Sequence, residues 1–439
     1  MFETIRNAFK IKEVRQKIFM TILFVIIYRL GCYIPVPGFN GITIDSSAGY
    51  GLTSVLDAIT GSALSQGTIF ALGISPYINA SIIMQLLTVA LPPLERLSKK
   101  GEEGKKKINF ITRIVTLVLA IVSALGIVLG LGGESAVNVN FLSNLQAMPI
   151  WAVYSFIIVV LVAGSMLCMW LGERITEYGV SNGISMIIFV GIISTAGQAM
   201  IKTIVGHNWI ELVVFLVSIV LIFAFIVWVD GAERKIKVQY AKQVKGNKMY
   251  GGQSTVIPIK VNGSGVMPLI FAFSILSFPS MLISTFWAEA ATTPGTFAYW
   301  WTQYLGTGTV VYTIFLALLI LGFAYFYSQI QFNPVEISRN IQGNGGFIPG
   351  IRPGRETSDY LAKVISRITL WGAIFLAFIA LVPSLLFMIP SWIGIASTDT
   401  QLINSFSATG MLITVSVALE FNRTLENQIL MRHYKGFLK

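Results

Sequence analysis

The fold of this chain is decided by residues Gly51–Leu91, GLTSVLDAITGSALSQGTIFALGISPYINASIIMQLLTVAL. Their second part, Phe70–Leu91, is long and apolar enough to cross a bilayer, since about 20 residues span about 30 Å of hydrocarbon. The first part, Gly51–Ser65, carries Asp57 and is too short and polar to span, yet too apolar for an ordinary loop. Irregular backbone at membrane depth is tolerated only where protein or a water-filled cavity satisfies its polar groups. The stretch predicts a spanning protein whose short arm dips into an internal cavity.

The composition is that of a polytopic membrane protein. Of 439 residues, 54% are hydrophobic and only 12% are charged, which lies outside the usage of soluble domains. The two cysteines, Cys32 and Cys168, fall inside apolar runs. We therefore expect no disulfide framework, no metal site and no cofactor, and we interpret both thiols as small core side chains.

Ten apolar runs predict an all-α protein with ten transmembrane helices. The predicted spans are Ile18–Ile34, Phe70–Leu91, Ile108–Leu131, Ile150–Leu171, Ile184–Ile204, Ile210–Val229, Val266–Trp287, Val310–Ile330, Ile368–Ile389 and Ile403–Phe421.

Lysine and arginine alternate between the connecting segments, with Lys202 near the outer end of span five as the single basic exception on that side. Five, six, seven, five and four of them fall in the N-terminus, Pro92–Lys107, Gly231–Gly265, Gln331–Arg367 and the tail from Asn422. The intervening segments, from Pro35, Gly132, Ala288 and Pro390, carry none. The positive-inside rule then places both termini and the basic loops in the cytoplasm. We therefore interpret the net charge of +11 first as an indication of membrane orientation and only second as an indication of a binding partner.

Ten spans divide into two halves, residues 1–205 and 206–439. An odd number of spans per half requires the second half to be inverted relative to the first. Pro76 and Pro268 fall near the start of the second span of each half. Interrupted helices at matching positions favour a site between the halves.

The two long cytoplasmic loops, residues 231–265 and 331–367, exceed what a connection needs. KIKVQYAKQ and STVIPIKV alternate like the strands of a hairpin around the turn-like KGNK, and Pro349 and Pro353 stiffen the second loop. Surface electrostatics is the plain interpretation. We favour structured docking arms that present Lys248 and Arg352 to a large anionic surface.

Two other classes compete with a channel. A secondary transporter also has inverted repeats and broken helices, but it usually needs ionisable groups near the midplane. All twenty Asp and Glu residues lie in loops, at span ends or in the arm, although sodium coupling through backbone carbonyls stays open. An intramembrane protease would use Ser185 with a histidine at the same depth. Both histidines, His207 and His433, lie outside the spans.

Long motifs then identify a family. Gly61–Ile82, Trp170–Ile188, Tyr240–Asn262, Asn333-Pro334, Phe347–Gly354 and the tail LENQILMRHYKGFLK resemble the SecY family, the pore subunit of the bacterial Sec translocon. The resemblance covers essentially the whole chain. It implies a clamshell of two inverted five-helix halves, with a plug at about 51–65 and a lateral gate formed by spans two and seven, backed by three and eight.

The resemblance also implies roles for particular residues. The pore ring, an apolar collar, would consist of Ile74, Ile78, Ile184, Ile188, Ile270 and Ile413. The plug would include Leu52, Val55, Leu56, Ile59 and Leu64. Ile74/Ile78 and Ile184/Ile188 are i,i+4 pairs, so each pair shares one helix face. Ser75, Asn79 and Gln85 are candidates for setting the hydrophobicity at which the gate opens.

The expected function is a passive protein-conducting channel in the bacterial cytoplasmic membrane, with no catalytic residues. The resemblance implies docking of the SecA ATPase or a ribosome, small membrane partners SecE and SecG, and substrates that are signal sequences and unfolded preproteins. Docking would use Lys242, Lys245, Lys248, Arg352 and Arg355. We further expect Arg29 to snorkel to the outer interface, Gly126 and Gly130 to mark close helix packing, and Leu161 to face lipid.

Overall fold

The chain is mostly helical in a computed structural model. The described residues are 6, 8–41, 57, 60–131, 150–205, 209–240, 243–245, 248–250, 254–263, 265, 267–287, 290, 293–306, 309–393 and 408–436.

The helices of the first half of the chain are α1 Lys12–Gly31, α2 Ser75–Ala90, α3 Pro92–Ser98, α4 Glu102–Leu125, α5 Ile150–Tyr178 and α6 Gly183–Val205. A π-helical segment, Gly126–Leu131, continues α4. The helices of the second half are α7 Trp209–Asp230, α8 Met267–Phe286, α9 Phe297–Leu305, α10 Val310–Gln331, α11 Pro334–Gly343, α12 Arg355–Ile393 and α13 Ala408–Gly436.

A helix of at least 16 residues overlaps each of the ten predicted spans. Within the described residues, four helices are long and apolar enough to cross a membrane by themselves, and a fifth qualifies if α2 and α3 count as one bent span. The structure therefore has several membrane-spanning helices, and ten crossings stay a prediction.

The second span begins later than predicted. Its helix α2 starts at Ser75 rather than Phe70, after a run of turns over residues 61–74. Gly73 has a φ of 55°, which a right-handed helix cannot continue, and Pro76 lies in the first turn of α2, where its missing N–H costs nothing. At its other end α2 bends by 103° into α3.

Two helices extend beyond the predicted spans. Helix α12 starts at Arg355, not Ile368, and α13 continues to Gly436, where a tail from Asn422 was expected. Their polar ends are held by packing rather than by lipid. Leu361 is buried among the strands described next, and Leu425 is buried against Val14 near the N-terminus.

The first long loop contains the predicted hairpin. Strand β1 (Glu233–Tyr240) pairs antiparallel with β4 (Ser254–Lys260), and β2 (Gln243–Lys245) pairs with β3 (Lys248–Tyr250), so Lys245 lies opposite Lys248. The fold is therefore not strictly all-α. These strands confirm the prediction that the loop is structured.

The second loop joins the first in one unit. Its short strand β5 (Gly346–Phe347) adds to the free edge of β1, and helix α11, which the sequence did not predict, precedes it. Asn333 caps α11 by accepting from the N–H of Val335 at 3.2 Å. We call β1, β4, β5, α11 and the first turns of α12 the strand platform. Its own buried core consists of Ile236, Val238, Ile259, Ile341, Ile348, Leu361, Val364 and Ile365.

Candidate functional site

The six predicted collar isoleucines converge in space. One buried apolar cluster, the central cluster, contains Ile74, Ile188 and Ile413, while Ile78, Ile184 and Ile270 pack against it. These side chains come from the start of α2 and from α6, α8 and α13. The structure thus brings together residues that are up to 339 positions apart, from 413 − 74.

The start of α6 is fixed tightly. Asn182 Oδ1 accepts from the N–H of Ile184 at 3.1 Å, and Thr176 Oγ1 accepts from the N–H of Gly183 at 2.9 Å. A side chain at Gly183 would overlap the carbonyl oxygen of Gly172 on α5. Because a β-carbon at Gly172 would in turn meet both Ile74 and Ile184, the helix contact seats these two collar residues side by side.

Only the base of the predicted plug is described. Leu52, Val55, Leu56 and Ile59 lie outside the described residues. Leu64 is 1% exposed and packs in a second buried cluster with residues of α4 and α5. Residues 61–65 form turns, and Ala63 belongs to the central cluster itself. The arm base therefore lies directly beside the collar.

Hydrogen bonds hold this base in place. Asp57 accepts from Ser65, through the backbone N–H at 2.9 Å and the hydroxyl at 3.2 Å. The carbonyl oxygen of Thr60 accepts from the Tyr28 hydroxyl at 3.4 Å and lies 3.9 Å from the Cys32 thiol. The base is thereby tied both to itself and to the end of α1.

Arg29 makes specific contacts near the end of α1. Its Nη2 donates to the Tyr33 hydroxyl at 3.1 Å, and the guanidinium lies over the Tyr33 ring. The other nitrogen, Nη1, is buried with no hydrogen-bond partner among the described residues, and it lies beside Gly61 of the arm base. Arg29 therefore contacts both α1 and the arm base.

The seam predicted as a lateral gate contains a cavity. Helix α8 packs against α2 and against the π-helical end of α4. The cavity between them has a volume of about 40 Å³. It is lined by Thr60, Leu64, Ala71, Leu72, Ser75, Pro76, Asn79, Ser123, Ile127, Ser277 and Phe278.

Only two of the three residues that were candidates for setting the hydrophobicity at which the gate opens line this cavity. Ser75 and Asn79 line it, whereas the amide of Gln85 donates to Ser81 of its own helix at 3.2 Å. Ser123 and Ser277 add hydroxyls that the sequence did not single out, because serines in apolar runs carry no distinctive signal. The Gly126–Gly130 segment is π-helical, and Ile127 within it lies on the cavity wall, so this segment borders the cavity.

One predicted lipid-facing residue is buried. Leu161 on α5 is 0% exposed and packs in the same cluster as Leu64, so that expectation is wrong. Val159 on the same helix is 65% exposed. Apolar residues suit both lipid and protein interior, so composition alone does not distinguish these two faces.

The docking candidates lie on or near the strand platform. The Arg352 side chain is 88% exposed, 4.0 Å from Glu356, and Arg355 is exposed at the start of α12. Lys245 and Lys248 close the β2–β3 pair, and Lys242 lies outside the described residues. The platform presents Arg352 on a loop whose backbone is held by the Ser338 hydroxyl, which donates to the Gly354 carbonyl at 2.6 Å.

These features define a class: a polytopic helical membrane protein of the channel type, with a buried central cluster, an arm folded beside it and a cavity in a helix seam. Comparisons with known proteins give the family. The SecY family model matches residues 68–422. Protein translocase subunit SecY of Thermotoga maritima is 40% identical over 100% of this chain and 98% of its own length. The corresponding subunit of Halalkalibacterium halodurans is 39% identical, with 100% of both chains covered. The chain belongs to the SecY family.

Solved structures agree on the fold. A structure described as a protein-conducting channel has a TM-score of 0.65 and covers 94% of this chain and 92% of its own, at 18% sequence identity. A second, whose title assigns the SecY plug domain to stabilising the closed channel and maintaining a membrane seal, has a TM-score of 0.62 over the same shares. Sec61 in a canine ribosome-channel complex has a TM-score of 0.62 at 17% identity, covering 94% and 92% of the two chains.

Proposed function

We propose that this chain is the passive pore through which unfolded secretory polypeptides cross the membrane and from which membrane segments leave sideways into the bilayer. The observation that carries the proposal is the convergence of six isoleucines from four helical elements in one buried cluster, beside the arm base. The names of the relatives support it, since they are protein translocase subunits rather than hydrolases or carriers.

In this proposal the six isoleucines form the collar. An apolar constriction gates by dewetting and blocks ions without any charged group. Leu52, Val55, Leu56, Ile59 and Leu64 belong to the plug, which closes the outer funnel. The position of Ala63 within the central cluster supports this arrangement, because a plug has to reach the collar to seal it.

The lateral gate is the seam of α2 against α8. A signal sequence is an apolar helix, and it competes with α8 for the surface of α2 and of the π-helical end of α4. Separating these helices opens the cavity that Asn79 and Ser277 line, widens the collar and releases the arm. Polar lining lowers the stability of the closed, dry seam and so sets how apolar an entering helix must be.

The halves 1–205 and 206–439 are the two inverted units of the clamshell. The alternation of basic loops supports cytoplasmic termini and a cytoplasmic strand platform. The family's membrane is then the bacterial cytoplasmic membrane.

The partners follow from the same proposal. Energy is supplied from outside, by the SecA ATPase or a translating ribosome docked on Lys242, Lys245, Lys248, Arg352 and Arg355. The Arg352 side chain is 88% exposed, and two structural neighbours are described as ribosome-bound channel complexes. SecE and SecG are the expected membrane subunits.

Site-directed crosslinking tests the pore. In a chain with Cys32→Ser and Cys168→Ala, single cysteines replace Ile188, which is buried, and Val159, which is exposed on α5. A secretory polypeptide carrying one cysteine is then stalled in transit. A disulfide at position 188 and none at position 159 supports the proposal. A further variant with its single cysteine in place of Ile413 extends the test to a second collar residue. If an active preparation gives no adduct at position 188 or 413, the proposal is overturned and a transporter is favoured. Counterflow of a small solute would then test the transporter.

A further inference from the structure

A single buried carboxylate joins three elements of the second half. Asp230, the last residue of α7, is 6% exposed. Arg423 on α13 reaches it twice: Nη2 donates to the backbone carbonyl oxygen of Asp230 at 3.2 Å and lies 3.4 Å from Oδ2. The side-chain amide of Asn262 donates to Oδ1 at 3.2 Å. We call Asp230, Asn262 and Arg423 the junction.

The junction lies next to the start of β1 and the end of β4, at the base of the strand platform. Strand β1 begins three residues after Asp230, and β4 ends at Lys260, two residues before Asn262. The N–H of Val261 donates to the Ala232 carbonyl at 3.0 Å, which closes the base of the hairpin. Gly372 of α12 packs against the Val261 carbonyl so closely that a β-carbon would overlap it. The platform is thus connected to the membrane helices through a tightly packed base.

The same junction leads to two collar residues. Asn262 precedes α8, on which Ile270 is the fourth residue. Arg423 lies ten residues after Ile413 on α13, about 15 Å along the axis at 1.5 Å per residue. A displacement of the platform base therefore acts on the segment that precedes α8 and on the middle of α13, the two helices that carry Ile270 and Ile413.

Five charged groups lie around the junction: Lys260, Arg423, Asp230, Glu233 and Glu420. Burial lowers the pKa of Lys260, and Arg423 lowers it further, whereas Asp230, Glu233 and Glu420 oppose this shift. The Asp230 side chain is 8% exposed and that of Arg423 is 36% exposed, so removing Arg423 leaves a buried carboxylate without its counter-charge. Asp230, Asn262 and Arg423 therefore hold α7, α13 and the segment before α8 together.

We infer that the junction is the mechanical coupling between the strand platform and the pore, with Asp230 and Arg423 as positioning residues. This inference rests on the proposed function. A macromolecule that docks on the platform moves its base, and the Asp230 carboxylate passes that movement to α8 and α13 together. Without the pair, docking still occurs but no longer biases the collar.

The first test separates docking from transport. The chain, reconstituted in vesicles with its small membrane subunits, carries Arg423→Gln, Asp230→Asn or Arg423→Lys. Two quantities are measured: the affinity of the channel for the motor ATPase, and the amount of polypeptide translocated per bound motor. We expect the Gln and Asn variants to keep the motor affinity within about twofold and to lose about tenfold in translocation per motor, a usual size for coupling between sites. Arg423→Lys restores part of the loss because it keeps the charge.

The matched control breaks an ion pair of the first half. Arg113 on α4 pairs with Glu173 on α5, with Nη2 2.6 Å from Oε2. Arg113→Gln is the same chemical change away from the platform, and it leaves both quantities unaltered. A loss of motor affinity in parallel with translocation for Arg423→Gln would show that the junction only supports the platform and would overturn the coupling. Unchanged translocation would overturn it as well.

A second measurement does not depend on conduction. In a chain without its native cysteines, new cysteines replace Lys237 of β1 and Asn427 of α13, both of which are exposed. Spin labels on these two cysteines report the distance between the strand platform and α13. We expect one narrow distance distribution with the intact junction and a broad one with Arg423→Gln. An unchanged distribution overturns the coupling. If instead the wild-type channel translocates nothing while the distances respond as expected, the proposed function fails and the junction stands.

Discussion

Ser65 donates both its backbone N–H and its hydroxyl to the two carboxylate oxygens of Asp57, at 2.9 Å and 3.2 Å. Asp57→Ala removes both bonds and leaves a donor at the arm base without its partner. A lost charge-assisted bond costs about 2 kcal/mol, which raises the population of displaced arms roughly 30-fold. The expected result is a larger ion leak through the idle channel, measured as conductance in planar bilayers without substrate.

The control keeps the stronger part of this contact. Ser65→Ala loses the hydroxyl bonds to Asp57 and Ser62 but retains the backbone bond to Asp57. Its leak should lie between those of the wild-type chain and Asp57→Ala. Equal conductance of all three proteins would show that this turn does not hold the arm.

Gly183→Ala should disturb the seat of the collar. The added methyl group would overlap the Gly172 carbonyl oxygen, so α6 must move away from α5 and take Ile184 with it. Overpacking of this kind costs about 1–3 kcal/mol, and thermal unfolding in detergent measures it as a lower Tm.

Gly197→Ala is the matched control on the same helix. A β-carbon there meets no atom within 4 Å, so the substitution should be neutral or stabilising by up to about 1 kcal/mol through helix propensity. If both variants unfold at the same temperature, the contact of α6 with Gly172 does not determine the stability of this helix pair.

Local patterns predicted the elements well where the signal is short-range. The alternation in KIKVQYAKQ and STVIPIKV around the turn-like KGNK predicted the hairpin of β1 with β4. Long apolar runs predicted the positions of the spanning helices for the same reason. The collar could not be found this way, since isoleucine in a span is ordinary, and only the family resemblance singled out these six.

What the sequence missed depends on packing between distant segments. The polar starts and ends of α12 and α13 are helical because Leu361 and Leu425 are buried by other parts of the chain. Leu161 was assigned to lipid because both environments select apolar side chains. Asp230 and Arg423 are 193 residues apart, and no local pattern connects them.

The gate cavity makes a prediction about signal sequences. Asn79→Leu replaces a polar wall by an apolar one of similar volume, which stabilises the dry, closed seam of α2 against α8. We expect signal sequences to need more leucines for half-maximal translocation, measured with a graded series of apolar signal helices.

Gln85→Leu controls for the change from amide to leucine. Its amide bonds to Ser81 within α2 and does not line the cavity, so the leucine requirement should stay as in the wild-type chain. A shift of the same size in both variants would show that the cavity wall is not what sets the threshold.

Arg352→Glu should separate docking from folding. The side chain is 88% exposed and 4.0 Å from Glu356, and exposed pairs contribute about 0–1 kcal/mol, so the Tm should barely change. Reversing a charge at the proposed docking surface should weaken motor or ribosome binding about tenfold and make binding less sensitive to salt.

Lys363→Glu makes the same charge change on α12, also at an exposed position, and should leave binding within about twofold if docking is specific. Equal losses for both variants would mean that the partner responds to net charge alone, and Arg352 would then have no particular role in docking.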